Sequence, residues 1–327
     1  MSSPSRVQIV AAFGAVYLIW GSTYLAIRFA VETIPPFLMA GTRFLISGGL
    51  LYAWIRAQGA KPPLPVHWKP AFIVGGLLLF VGNGGVSWAE QFVASGVTAL
   101  IIACSPLWFA LLDWWHRGVR PTFDVFVGLV LGTIGIVFLI NPAELLGGEE
   151  IHVGGAVVLL VATISWAGGS LYSRTANLPS SQLLAAGMEM LAGGFLCVLA
   201  GVIGGELSDF SFNSVSTNSF LSLGYLILFG SLVGFTSYVW LLKVVPPSVV
   251  STYAYVNPVI AVFLGWLIAD EPFGTNTLVA AGLIVGSVAV ITTFHARRTT
   301  KSMKNLRVVP ADDQGSAASI QKAPEAR

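Results

Sequence analysis

Four stretches of this chain are long enough to cross a bilayer and carry no Asp, Glu, Lys or Arg: Pro70–Ala89, Gln91–Leu112, Val244–Ala269 and Pro272–Ala296. About 20 mostly apolar residues in helical form span the hydrocarbon core. Only helices and closed barrels satisfy their backbone polar groups in lipid. A barrel strand alternates apolar and polar residues with a period of two, and these runs do not alternate. The chain therefore reads as a bundle of membrane helices. Its charged fraction of 10% against roughly 25% for soluble domains excludes a water-solvated globule, and a hydrophobic fraction of 55% excludes disorder. Cys104 and Cys197 both lie in apolar runs, which excludes a disulfide framework.

Ten spans are expected: Ile9–Ala30, Pro36–Ala57, Pro70–Trp88, Ala94–Trp115, Phe123–Ile140, Val153–Ser173, Gln182–Gly204, Ser219–Leu242, Pro247–Ile268 and Gly274–Phe294. The first is kept as a span because it is too long for a signal-peptide core and only one Arg precedes it. With the N-terminus inside, fifteen of the 17 Lys and Arg fall in cytoplasmic segments and none in external ones. Arg28 and Arg43 fall within spans. This asymmetry places both termini in the cytoplasm. Residues 1–8 form a cytoplasmic N-terminus, and residues 297–327 a basic, disordered cytoplasmic tail.

Shifted against itself by 146, the chain superposes Trp20 on Trp166, Ala40-Gly41 on Ala186-Gly187, and Gly48 on Gly194. Offsets of 152 and 154 then pair Ser105-Pro106 with Asn257-Pro258, and Gly128-Leu129 with Gly282-Leu283. Residues 9–142 and 151–296 therefore read as two five-helix repeats. Five is odd, so the copies enter the membrane from opposite faces, as in secondary transporters that bind cargo near the bilayer midplane. The expected fold is all-α, ten spans in two inverted repeats.

Charge inside a bilayer is costly and usually has a task. Arg43 and Glu189 sit inside helices 2 and 7, and the offset superposes them. They are candidate gating or substrate-charge residues, with Glu189 a candidate carrier of a coupling proton; Arg28, nearer a helix end, is a third. Pro106 and Pro258 occupy equivalent mid-span places and free the carbonyls four residues back, which makes them candidate hinges. Polar and aromatic side chains share helical faces at the same depth. Trp20, Tyr24, Asn83, Ser105, Trp166, Tyr238, Tyr253 and Asn257 are the candidate walls of a polar-aromatic cavity for a small amphipathic substrate. Gly128-x-x-x-Gly132 and Gly282-x-x-x-Gly286 mark helices 5 and 10 as close-packed scaffold. The four His lie in loops or at span ends, and no phosphate-binding loop, zinc spacing or paired core Asp is present. No enzyme, cofactor, metal or nucleic-acid partner is expected. The partners expected are lipid and a small-molecule substrate.

Trp20-Gly21-Ser22-Thr23-Tyr24, Arg43-Phe44 and Ser105-Pro106, with Ser165-Trp166, Tyr253-Ala254-Tyr255-Val256-Asn257-Pro258 and Asp270-Glu271-Pro272 in the second half, resemble the EamA-like branch of the drug/metabolite transporter superfamily over Ile9–Phe294. The resemblance implies an inner-membrane exporter of small metabolites such as amino acids. It further implies alternating access in a monomer and a proton as candidate coupling ion. A sugar or nucleotide-sugar carrier and a non-transporting scaffold or sensor are the other readings. One departure stands out. Many relatives carry Gly-Glu after helix 4 as well as after helix 9, whereas this chain reads Arg117-Gly118-Val119-Arg120-Pro121, so Glu271 has no first-half partner.

Overall fold

The computed structural model describes residues 4–93, 98, 101–103, 105–118, 123–140 and 153–269, together with 279, 282–283 and 286–287. Most of the tenth span, Glu271 and the tail lie outside the described residues. Every regular element among those described is helical. The longer ones, in chain order, are α1 (Arg6–Val31), α2 (Pro36–Ala57), α3 (Pro65–Ala89), α4 (Ser105–Arg117), α5 (Phe123–Ile140), α6 (Val153–Ser173), α7 (Gln182–Ile203), α8 (Thr217–Val244) and α9 (Tyr253–Ala269). Six of these, α1, α2, α3, α6, α7 and α8, are long and apolar enough to cross a membrane.

The helix starts follow local chemistry. Ser5 Oγ accepts from the Gln8 N–H while the Gln8 side chain accepts from the Ser5 N–H, a reciprocal cap that opens α1. At α7 and α8 the cap is one-sided: Ser181 Oγ accepts from the Leu184 N–H, and Ser216 Oγ from the Ser219 N–H. Helix α2 begins with Pro36 and has no cap of its own. The Glu206 carboxylate, from the segment after α7, accepts instead from the N–H groups of Phe37 (3.2 Å) and Leu38 (2.9 Å). An acid at a helix N-terminus satisfies orphan donors and complements the dipole.

Helices α2 and α7 form the largest helix–helix contact, and they cross as antiparallel neighbours. Gly41 lies against Gly194 and Val198, and Gly48 lies against Gly187 and Leu191. A methyl group on Gly48 would stand 2.8 Å from the Leu191 nitrogen and 2.9 Å from the Gly187 oxygen. Small residues are what let backbones approach this closely in a membrane. Gly41 and Gly48 are also the 146-offset equivalents of Gly187 and Gly194, so each contact maps onto the other when the halves are exchanged. The remaining packing obeys the same exchange. Helix α1 packs on α8 and α9, and α6 packs on α3 and α4; α2 packs on α8, and α7 on α3.

Helices α3 and α8 share an irregularity that an apolar run does not announce. Both widen to π-helix in mid-course, over Gly76–Gly84 and Leu226–Phe235. Their sequences correspond there, Leu77-Leu78-Leu79-Phe80 to Leu226-Ile227-Leu228-Phe229. A π segment disturbs the regular ladder and often marks a functional site. Side chains from the other half take up its carbonyls: Ser165 Oγ donates to the Leu77 oxygen (2.9 Å), and Trp20 Nε1 to the Gly230 oxygen (3.1 Å). Helices 5 and 10 meet through Ser287 Oγ, which donates to the Gly128 oxygen (2.8 Å).

Candidate functional site

A cavity continuous with the outside opens between the two π segments. Its floor is aromatic. Trp20 and Trp166 meet edge to face with centroids 5.5 Å apart. Tyr238 lies 4.9 Å from Trp20 and 5.3 Å from Trp166, and Tyr253 stands edge-on to Trp20 at 5.1 Å. The polar tips are used as well. Tyr238 Oη accepts from Trp166 Nε1 (2.8 Å) and shares a hydrogen bond with Ser170 Oγ (2.7 Å). Beneath the floor, Tyr17 is tied to Thr252 (2.6 Å), and the Lys243 ammonium donates to the Ser173 carbonyl. From Trp20 the cavity rises along α1 past Thr23 and Tyr24 to Ile27, about 10 Å at helical rise.

Of the eight expected wall residues, Trp20, Tyr24, Asn83, Ser105, Trp166, Tyr253 and Asn257 line the cavity. Tyr238 lies behind them, fully buried, as the post that holds both indoles. Asn257 turns its amide nitrogen to the carbonyls of Tyr253 (3.1 Å) and Tyr17 (3.2 Å). Residues that composition alone left unmarked complete the lining, among them Thr23, Phe44, Gly82, Thr163 and Gly230. Gly82 and Gly230 belong to the π segments. Setting residues 77–80 against 226–229 shows the Leu-x-Leu-Phe that the two segments share in the sequence.

The three charged candidates part company. Arg43 is 3% exposed and lines the cavity. Its Nε donates to Ser231 Oγ (2.7 Å) and its Nη1 reaches Asn83 Oδ1 (3.5 Å), so one guanidinium bridges both π segments. Glu189 is fully buried below the floor, away from the cavity, and neither carboxylate oxygen has a hydrogen-bond partner. Lys243 is the basic group that acts on it electrostatically. Arg28 is exposed near the end of α1.

The two prolines take different places in their helices. Pro106 is the second residue of α4, where its missing N–H is one the helix would not use. The freed Ile102 oxygen accepts from Ser105 Oγ (2.5 Å). Pro258 sits inside α9, and the interruption in this span falls upstream. A short turn at Pro247–Val250 ends at Ser251–Thr252 before α9 begins. No group of three or more His, Cys, Asp or Glu that could hold a metal occurs among the described residues.

Antiparallel equivalent helices, apolar spans and a polar-aromatic cavity at the crossing of two halves define a polytopic helical membrane protein of the carrier type. Comparison with known proteins makes this specific. The EamA-like transporter family matches residues 8–141 and again residues 153–293, and the chain belongs to that family. Over 289 residues it is 40% identical to the "uncharacterized inner membrane transporter YedA" of Escherichia coli strain K12, covering 87% of this chain and 92% of that one. The "uncharacterized transporter YoaV" of Bacillus subtilis strain 168 is 26% identical over 302 residues, covering 89% and 99%. A solved crystal structure with 22% identity shares the fold, with a TM-score of 0.72 over 90% of this chain and 99% of the other.

Proposed function

We propose that this transporter is a secondary carrier of small organic metabolites such as amino acids, acting as a monomer in the inner membrane by alternating access. The observation that carries the reading is the position of the cavity floor. Trp20 and Trp166, equivalents in the two repeats, touch each other there, and residues related by a two-fold can meet only on its axis. A cavity closed at the axis is open to one side at a time. With both termini cytoplasmic, the side left open is the external one. Among the described residues the walls offer one cation and several aromatic faces, which suits a small amphipathic solute and gives a polyphosphate little to hold.

Glu189 serves as the proton site in this scheme, being a buried carboxyl whose oxygens accept no hydrogen bond. Reconstitution in liposomes with radiolabelled amino acids and metabolites tests the whole reading, with and without an imposed pH gradient. Saturable flux that is lost in Trp20→Ala is the expected result, with gradient-driven accumulation abolished in Glu189→Gln while exchange persists. Absence of flux for every cargo would sink the carrier reading. Flux indifferent to the gradient would remove the proton alone.

A further inference from the structure

Arg43 is a buried cation whose partners are all neutral. Its hydrogen bonds go to Ser231 and Asn83, and its Cζ lies over the Phe44 ring, 4.8 Å from the centroid. No carboxylate is among the described residues that line the cavity. A guanidinium offers five N–H donors in a fixed fork, and the Nη2 donors have no acceptor among the described residues. Nη2 rests beside Gly230, where a methyl group would stand 2.7 Å from it. A residue that only fastened α2 to α3 and α8 would have spent these donors on packing. This one keeps an edge of its fork unpaired at the cavity wall, at a depth where an uncompensated charge is expensive.

We infer that Arg43 is the anion receptor of the cavity. The cargo carries a single carboxylate that docks on the free Nη edge while its apolar body lies on the Trp20–Trp166 floor. Arg pairs with a carboxylate through two parallel hydrogen bonds, and a water-poor wall strengthens both. One cation matches one negative charge. The aromatic faces accept an apolar or weakly cationic remainder, so simple acids and zwitterions enter, and bare amines meet the like charge of Arg43 with no acid to offset it. This assignment rests on the carrier reading above but fails separately from it.

The test uses matched probes that differ only in the charged end: phenylalanine, 3-phenylpropionate, phenylalaninamide and phenethylamine, with leucine and leucinamide as a second set. Binding to the detergent-purified full chain is measured by titration calorimetry. Carboxylate probes are expected to bind at least tenfold more tightly than the amide of the same body, and phenethylamine least. In Arg43→Gln that ratio collapses toward one, and Arg43→Lys, which keeps the charge but loses the fork, lies between. Gly230→Ala displaces the guanidinium without removing its charge, and it should weaken each carboxylate more than the amide of the same body. Thermal melting of each variant separates this loss from misfolding.

Equal affinity for amide and carboxylate would overturn the assignment. So would carboxylate preference surviving in folded Arg43→Gln, or a complete lack of binding by every carboxylate. In each of these cases metabolite flux in liposomes still decides the carrier reading on its own.

Discussion

Removing one oxygen atom from the cavity floor tests how the floor is held. In Tyr238→Phe the ring stays, so its stacking on Trp20, Trp166 and Tyr253 is kept, and the change falls on two hydrogen bonds. Ser170 Oγ retains its other acceptor, the Trp166 carbonyl at 2.6 Å. The Trp166 indole N–H, in contrast, loses its partner. An orphaned buried donor costs about 1–3 kcal/mol, whereas hydrogen bonds between membrane helices average about 0.6 kcal/mol. Together these set the expected loss at about 1–2 kcal/mol. Ser170→Ala leaves the Trp166–Tyr238 bond intact and should cost less, about 0.5 kcal/mol. Equilibrium unfolding in mixed micelles reads both, and flux in liposomes reads whether a freed indole weakens the seal. A Tyr238→Phe variant within about 0.3 kcal/mol of the parent, or one less damaging than Ser170→Ala, would refute the view that this hydroxyl anchors the floor.

Two further changes probe the frame. Gly48→Ala should destabilise by about 1–3 kcal/mol, because its methyl group would meet backbone atoms of α7. The neighbouring Gly49→Ala, which meets nothing within 4 Å, should stay within about 0.5 kcal/mol. Similar melting temperatures for the two would deny the close α2–α7 crossing. Glu206→Ala removes the acceptor of two N–H groups at the start of α2 and should cost about 1–2 kcal/mol in chemical denaturation. Glu206→Gln, which keeps the oxygen but not the charge, should recover part of that, and an unchanged midpoint in both would show that α2 is capped by other means.

Helix placement was legible because one physical quantity governs it. Hydrophobic length against bilayer thickness fixes a span, and the expected bounds of α2 and α6 coincide with the observed ones. The cavity walls were legible for a related reason. Polar side chains are expensive in lipid, so those present at mid-depth on one face tend to face a cavity or one another. Such reasoning does not distinguish a wall from the post behind it. Tyr238 and Tyr253 look alike in the sequence, yet Tyr253 lines the cavity and Tyr238 supports the indoles from behind. The π segments were illegible to hydropathy, since widening a helix by one residue alters which carbonyl is free and leaves composition untouched. Pro258 stands inside α9 as its place in the span implied, and what the sequence did not show is the break upstream of it. A proline costs a hydrogen bond wherever it stands, but the backbone yields where neighbours can take up the freed groups. In this span that place is Ser251–Thr252, where Thr252 Oγ1 donates to the Val249 carbonyl and shares a hydrogen bond with Tyr17.

The internal repeat gives the charged pair its meaning. Trp20 and Trp166 are equivalents that touch, which fixes the axis at the floor, whereas Arg43 and Glu189 are equivalents that do not touch and lie on opposite sides of it. Exchanging the shapes of the two halves, as the proposed alternating access requires, would open the packed side and give Glu189 the relation to the cavity that Arg43 has now. The two end states would then differ in the sign of the charge at the wall, a cation in one and a titratable acid in the other. A carrier built this way has no reason to bind an anionic cargo equally from both sides. Sided affinity measured in oriented vesicles should be unequal in the parent and move toward equality in Glu189→Gln. Equal affinities in the parent would leave the charge inversion without a consequence for transport.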